Sequence, residues 1–181
     1  MGRIGVLVSG QGTNLQALID AGLPIAAVVS NRPGVPALDR AARAGIESAV
    51  FAASEYGSRE ERDAAMAAWL EERRVTLVVC AGFMELLRKP FLTHFAGRIV
   101  NTHSAPLPDF PGARPIEDVL AAGVAETAAT VHYVDEGVDS GPVIVAERVP
   151  VYENDTVETL RERVQAVEHR LLPQIVRSLA G

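Results

Sequence analysis

The chain carries 181 residues, 48% hydrophobic and 22% charged, with 23 acidic against 17 basic side chains and a formal charge of -6. This is the composition of one soluble globular domain, and it excludes a disordered chain and any general attraction to nucleic acid or anionic lipid. A single cysteine, Cys80, excludes an internal disulfide and a cysteine zinc framework, while the one lysine, Lys89, lies far from any glycine-rich loop and so excludes a lysine-bearing phosphate loop.

Short apolar runs alternate with amphipathic stretches along the chain. Residues 3–8 read as a strand buried on both faces, 14–21 as a short helix and 25–30 as a second strand. A helix over 36–44 closes at Gly45, and a strand follows at 46–51. Ser58 and Glu61 form a capping-box pattern that opens a helix over 58–73. Strands are expected at 77–80 and 99–101, then a helix over 115–122 opened by Pro115. Residues 128–134 and 142–149 read as late strands of antiparallel type. A long helix over 156–179 follows, capped by Asn154 and Asp155 and interrupted at Pro173. The alternation predicts an α/β fold, a mostly parallel twisted sheet flanked by helices, with ligands beyond the C-terminal strand ends. No stretch reaches the roughly 18 to 20 apolar residues that span a bilayer, and no signal-peptide core precedes the first helix, so a cytoplasmic location is expected.

Four segments carry chemistry. Ser9-Gly10-Gln11-Gly12-Thr13-Asn14 joins the first strand to the first helix, where free N–H groups attract phosphate. A dinucleotide fingerprint would need a third glycine where Leu15 stands and an acidic residue where Ser30-Asn31-Arg32 stands; a single phosphate is the leading reading, beside a plain tight turn and an NADP site that rests on Arg32. Asn101 and His103, two apart on an extended segment, share one face, so that one can polarise a carbonyl oxygen while the other moves a proton. The run Asp135-Glu136-Gly137-Val138-Asp139 is either a solvated turn or the source of a carboxylate that orients His103. The four histidines lack the i, i+4 spacing of metal ligands, so no metal is expected. Glu168 falls about 30° to 40° from the centre of the apolar stripe of the last helix. It therefore pairs with an arginine such as Arg3 or Arg161, or binds a ligand; His169 points away toward solvent.

Taken together, Ser9 to Asn14, Ala81-Gly-Phe-Met84, Asn101-Thr-His103, Leu107-Pro108 with Phe110-Pro-Gly112, Thr130 to Val134, Asp139 to Ile144 and Gln165 to His169 resemble the phosphoribosylglycinamide formyltransferases over nearly the whole chain. The resemblance implies a Rossmann-like formyltransferase fold in a single domain over residues 1–181. It also implies transfer of a formyl group from 10-formyltetrahydrofolate, as co-substrate, to the amine of glycinamide ribonucleotide in purine synthesis. By the same resemblance Asn101, His103 and Asp139 form the catalytic trio, Gly12, Thr13 and Asn14 hold the phosphate, and Glu168 holds the ribose. Arg59, Met84, Glu85, Leu86, Leu87, Asn101, Asp135, Glu136, Gly137 and Val138 would meet the folate. Partners are small molecules only, without nucleic acid or membrane, and the chain would act as a monomer or homodimer.

Two departures stand out. Ala113-Arg114-Pro115-Ile116 replaces the histidines that the family usually presents, with Arg114 a candidate substitute charge, and Glu85 stands where some relatives carry arginine. The competing readings are the transfer-RNA formyltransferase and folate hydrolase relatives, for whose extra domains this length leaves no room, an NADP-dependent oxidoreductase resting on Arg32, and a non-catalytic binding homologue.

Overall fold

The computed structural model describes residues 2–181; Met1, counted in the expected single domain, lies outside the described residues. Seven strands form one sheet in the order β3-β2-β1-β4-β5-β6-β7. They are β1 (Arg3–Val8), β2 (Ile25–Ser30), β3 (Ser48–Val50), β4 (Val75–Cys80), β5 (Ile99–His103), β6 (Glu126–Tyr133) and β7 (Val143–Pro150). The pairings from β3 through β5 are parallel, and β6 and β7 join antiparallel. The helices are α1 (Thr13–Asp20), α2 (Pro36–Arg43), α3 (Arg59–Glu72), α4 (Lys89–His94), α5 (Pro115–Ala122) and α6 (Val157–Ala180).

The continuous apolar runs arise because both sheet faces are covered. Ile4, Val6 and Val8 of β1 pack toward α1, α2, α5 and α6, while Leu7 joins Ala27, Val29, Met66, Leu70 and Phe91 on the side of α3 and α4. Strand geometry sends successive side chains to opposite faces, so a strand buried on both sides must be apolar throughout. The sheet order turns back between β1 and β4, and the loops leaving β1, β4 and β5 open at one edge there, the position where α/β sheets take ligands.

Several local expectations are corrected. The strand expected over 46–51 contracts to three residues, since β3 is an edge with a single partner. The strand expected to end at Asn101 extends to His103 because β6 pairs with it there. Helix α4 is one short piece with Pro90 in its first turn, too brief to show periodicity. Pro173 does not interrupt α6, which runs unbroken to Ala180; the ring is buried against the body, and that packing outweighs one lost ladder bond.

The cap of α6 is Thr156, whose hydroxyl accepts from the Thr159 amide at 3.3 Å while Thr159 Oγ1 accepts from the Thr156 amide at 2.9 Å. Asp155 instead forms a two-pronged pair with Arg163, at 2.7 and 2.8 Å. Hydrogen bonds from Arg163 and the Tyr152 amide hold the Asp155 carboxyl well below the usual carboxylate range. Thr156→Ala is therefore expected to cost about 1 kcal/mol, read as a lower urea midpoint at unchanged slope. Asn154→Ala should leave the midpoint in place.

Candidate active site

A cavity of about 600 Å³ lies over the C-terminal ends of β1, β4 and β5. Its polar end begins at Gly12, which caps α1 in the left-handed conformation (φ 71°) with no side chain satisfying the helix amides. A Cβ there would stand 2.6 Å from the Ala37 side chain, so glycine is required both by conformation and by the approach of α2. The exposed helix start attracts an anion through its free N–H groups and the helix dipole.

Glu168, 3% exposed, reaches this end from α6. Its carboxylate accepts from Asn14 Nδ2 at 3.1 Å and from the Ser104 hydroxyl at 2.6 Å. The expected arginine pairing is absent among the described residues: Arg161 faces Glu117, and Arg3 donates to the Arg73 carbonyl. A buried carboxylate held by neutral donors keeps acceptor capacity for ligand hydroxyls, and the buried Asn14 Oδ1 has no partner in the protein. His169 is half-buried at a groove beside α1, with its Nε2 atom buried and without a partner.

Asn101 and His103 project from β5 at the cavity floor. Antiparallel pairing with β6 sets Asn101 opposite His132 and His103 opposite Thr130. His132 Nδ1 donates to the Tyr133 carbonyl at 2.8 Å, and its Nε2 lies 3.2 Å from Asn101 Nδ2. His103 Nε2 donates to the Phe110 carbonyl at 2.6 Å, which turns Nδ1 toward Asp139 Oδ2 at 3.5 Å.

Asp139 holds the group together. Its Oδ2 accepts from the Gly112 amide at 2.8 Å, and its Oδ1 lies 3.5 Å from both Asn101 Nδ2 and His132 Nε2. The residue takes φ 50°, a left-handed conformation more accessible to Asp than to most residues. The returning chain requires Gly141, since a Cβ there would sit 1.9 Å from the Tyr133 carbonyl oxygen. Burial opposes ionisation of Asp139, but the His132 hydrogen bond, the Gly112 amide and the nearby His103 together hold its carboxyl below the usual range.

The other end of the cavity is apolar, with Met84 (56% exposed), Leu86 (44%) and Val138 (49%) presenting unburied surface. Leu87, Asp135 and Gly137 also line it, as do Gly12, Thr13 and Asn14 at the polar end. Glu85 lines it too, but its carboxylate turns inward to Arg62 and Asn31. Arg59 and Glu136 are exposed and stand outside the lining, although the Arg59 charge is felt at Glu85. Arg114 stands outside the lining between Ala113 and Pro115, which belong to it, while Ile116 is buried at its wall. His132, Ser104 and Gln165 join the site without having been singled out for it. The usable signal for His132 was alternation along β6, which places it on the face of Thr130. No group of three or more His, Cys, Asp or Glu residues able to hold a metal occurs among the described residues, and no helix is long and apolar enough to cross a membrane.

The lowered carboxyl of Asp139 has a defined pH consequence. Its ionised form adds stability in full above the unfolded value of about 3.9, and that contribution disappears as pH falls through the lower folded value. Acid titration of stability should therefore be steeper below pH about 4 in the native chain than in Asp139→Asn, as chemical denaturation at stepped pH would show.

The family model described as formyl transferase matches residues 2–176. The phosphoribosylglycinamide formyltransferase of Mycobacterium tuberculosis is 42% identical over 182 residues, spanning 98% of this chain and 85% of its own. That of Haemophilus influenzae is 37% identical over 183 residues, spanning 98% and 86%. The crystal structure of glycinamide ribonucleotide transformylase 1 from Symbiobacterium toebii superposes with a TM-score of 0.97 at 46% identity, covering 99% of this chain and 88% of that one. The chain also matches trifunctional purine biosynthetic proteins, of whose length it spans 14% to 18%. With the Rossmann-like sheet and the site described above, these matches place the chain in the formyl transferase family.

Proposed function

We propose that the chain transfers a formyl group from 10-formyltetrahydrofolate to the amine of glycinamide ribonucleotide. The observation that carries this reading is the convergence of Asn101, His103 and Asp139 between an anion-binding helix start and an apolar lobe. The ribonucleotide phosphate fits the amides of Gly12, Thr13 and Asn14, and its ribose hydroxyls fit Glu168. The folate ring system fits between the 84–87 loop and the 135–138 loop, where Met84, Leu86 and Val138 present apolar surface.

Each residue of the trio has a distinct task. Attack by the amine on the formyl carbon places negative charge on the formyl oxygen, and the Asn101 amide is the fixed donor nearest the cavity floor. Asp139, ionised at neutral pH, is a standing negative charge rather than a proton reservoir. It stabilises positive charge on the attacking amine and on the His103 ring. His103, tied to Phe110 and facing Asp139, supplies the protonated partner as the proton passes from amine to leaving nitrogen, directly or through water. The resulting partners are small molecules, and the place of action is the cytoplasm.

Release of tetrahydrofolate should require both 10-formyltetrahydrofolate and glycinamide ribonucleotide. His103→Ala and Asp139→Asn should each lower turnover by at least about 100-fold; near-normal rates in both would remove the mechanism. Glu168→Gln should raise the KM for the ribonucleotide about tenfold with the folate KM unchanged. A collapse of stability in that variant would instead assign Glu168 a structural role.

A further inference from the structure

A buried polar chain runs beneath the 82–88 loop. Ser9, at the end of β1, donates its hydroxyl to Asn31 Oδ1 at 2.6 Å and accepts the Met84 amide at 2.8 Å. Asn31 Nδ2 donates to Glu85 Oε1 at 2.8 Å, and Arg62 donates Nη1 to the other Glu85 oxygen. Arg62 Nε and Nη2 both donate to Asp63 Oδ1, at 2.9 and 2.7 Å, and Asp63 Oδ2 accepts the Arg88 amide at 2.5 Å. The side chains of Arg62 and Asp63 have no exposure at all.

Stability alone is a poor reason for such a cluster. Taking a guanidinium and two carboxylates out of water costs solvation that their mutual attraction only partly returns, and apolar replacement of a buried ion pair is often neutral or better. What the cluster does deliver is geometry. It grips the loop at the Met84 amide, the Glu85 side chain and the Arg88 amide, three anchors within five residues. The side chains of Met84 and Leu86 are left free to face the cavity. Burial opposes the charge on Glu85, but hydrogen bonds from Arg62 and Asn31 hold the carboxyl below its ordinary range, so the anchor stays charged at neutral pH. Arg62 lies outside the cavity lining, and the first link, Ser9, immediately precedes the 10–14 loop.

We propose that Arg62 and Glu85 are positioning residues for the second substrate: they fix the backbone of residues 84–88 as one wall of the apolar lobe. Glu85 serves that substrate through the loop and not by touching it. The proposal rests on the reading of that lobe as the folate site.

Kinetics on the full chain, with 10-formyltetrahydrofolate and glycinamide ribonucleotide varied separately, test it. Glu85→Ala and Arg62→Met should each raise the folate KM about tenfold while leaving the ribonucleotide KM within about twofold. The double variant should be no worse than the more affected single, because both act through one link. Glu85→Gln should fall between Glu85→Ala and the native chain, since one amide oxygen still accepts from Arg62. Hydrogen exchange at the Met84 and Arg88 amides should quicken in Glu85→Ala and Arg62→Met without a matching change elsewhere. Glu85→Ala leaves Arg62 paired with Asp63 and keeps the test intact if Arg62→Met fails to fold. An unchanged folate KM in folded Arg62→Met, additive effects in the double variant, or unaltered exchange at the two amides would overturn the proposal. If the native chain gave no turnover, the functional reading would fail, and exchange at the two amides would still decide the positioning role.

Discussion

Antiparallel pairing of β5 with β6 governs the site, because it decides which side chains stand beside Asn101 and His103. In the observed register Asn101 faces His132, and Thr130 is free to donate its hydroxyl to the Ala105 carbonyl at 2.7 Å, pinning the chain as it leaves β5. A slip of one residue would send Asn101 and His103 to the opposite face of the sheet. The hairpin of β6 and β7 returns the loop that carries Asp139. Tyr133 donates its amide to Pro142, and Gly141 passes under the Tyr133 carbonyl where no larger residue fits. Asn101, His103 and Asp139 are thus brought together by sheet geometry, with the Asp139 conformation imposed by the turn.

Three of the carboxylates around the cavity are held in three different ways. Asp139 faces two imidazoles and an amide, so its charge can respond to charge in a ligand. Glu168 is held by a hydroxyl and an amide, both neutral, and retains room to accept from ligand hydroxyls. Glu85 is committed to a buried guanidinium and thereby serves the loop that bears it. Solvation explains the pattern. A buried carboxylate is tolerable only with partners, and the identity of the partner fixes whether the group is available to chemistry or withdrawn from it.

Much of the architecture was legible in the linear pattern. Apolar runs such as 3–8 and 25–30 announced strands buried on both faces, and the stripe through Leu160, Val164 and Leu171 announced a helix with one face inward. Short or edge elements were not legible. A three-residue edge strand and the six-residue α4 contain too few periods to be distinguished from loop. The cap of α6 was misread because Asn154, Asp155 and Thr156 are all good capping types, and only the pull of Arg163 on Asp155 separates them.

By itself the sequence determined the fold class, the glycine-bounded helix start near Gly12, the shared face of Asn101 and His103, and the inward placement of Glu168. All of these follow from local periodicity or spacing. Only the tertiary structure decided that Glu168 is met by Asn14 and Ser104 in place of an arginine, that His132 stands beside Asn101 and Asp139, and that Glu85 turns inward onto Arg62. Those outcomes depend on partners 23 to 154 residues away in the chain. Spacing along a strand or helix carries no information about such partners; which side chain satisfies a buried charge is settled when the elements pack.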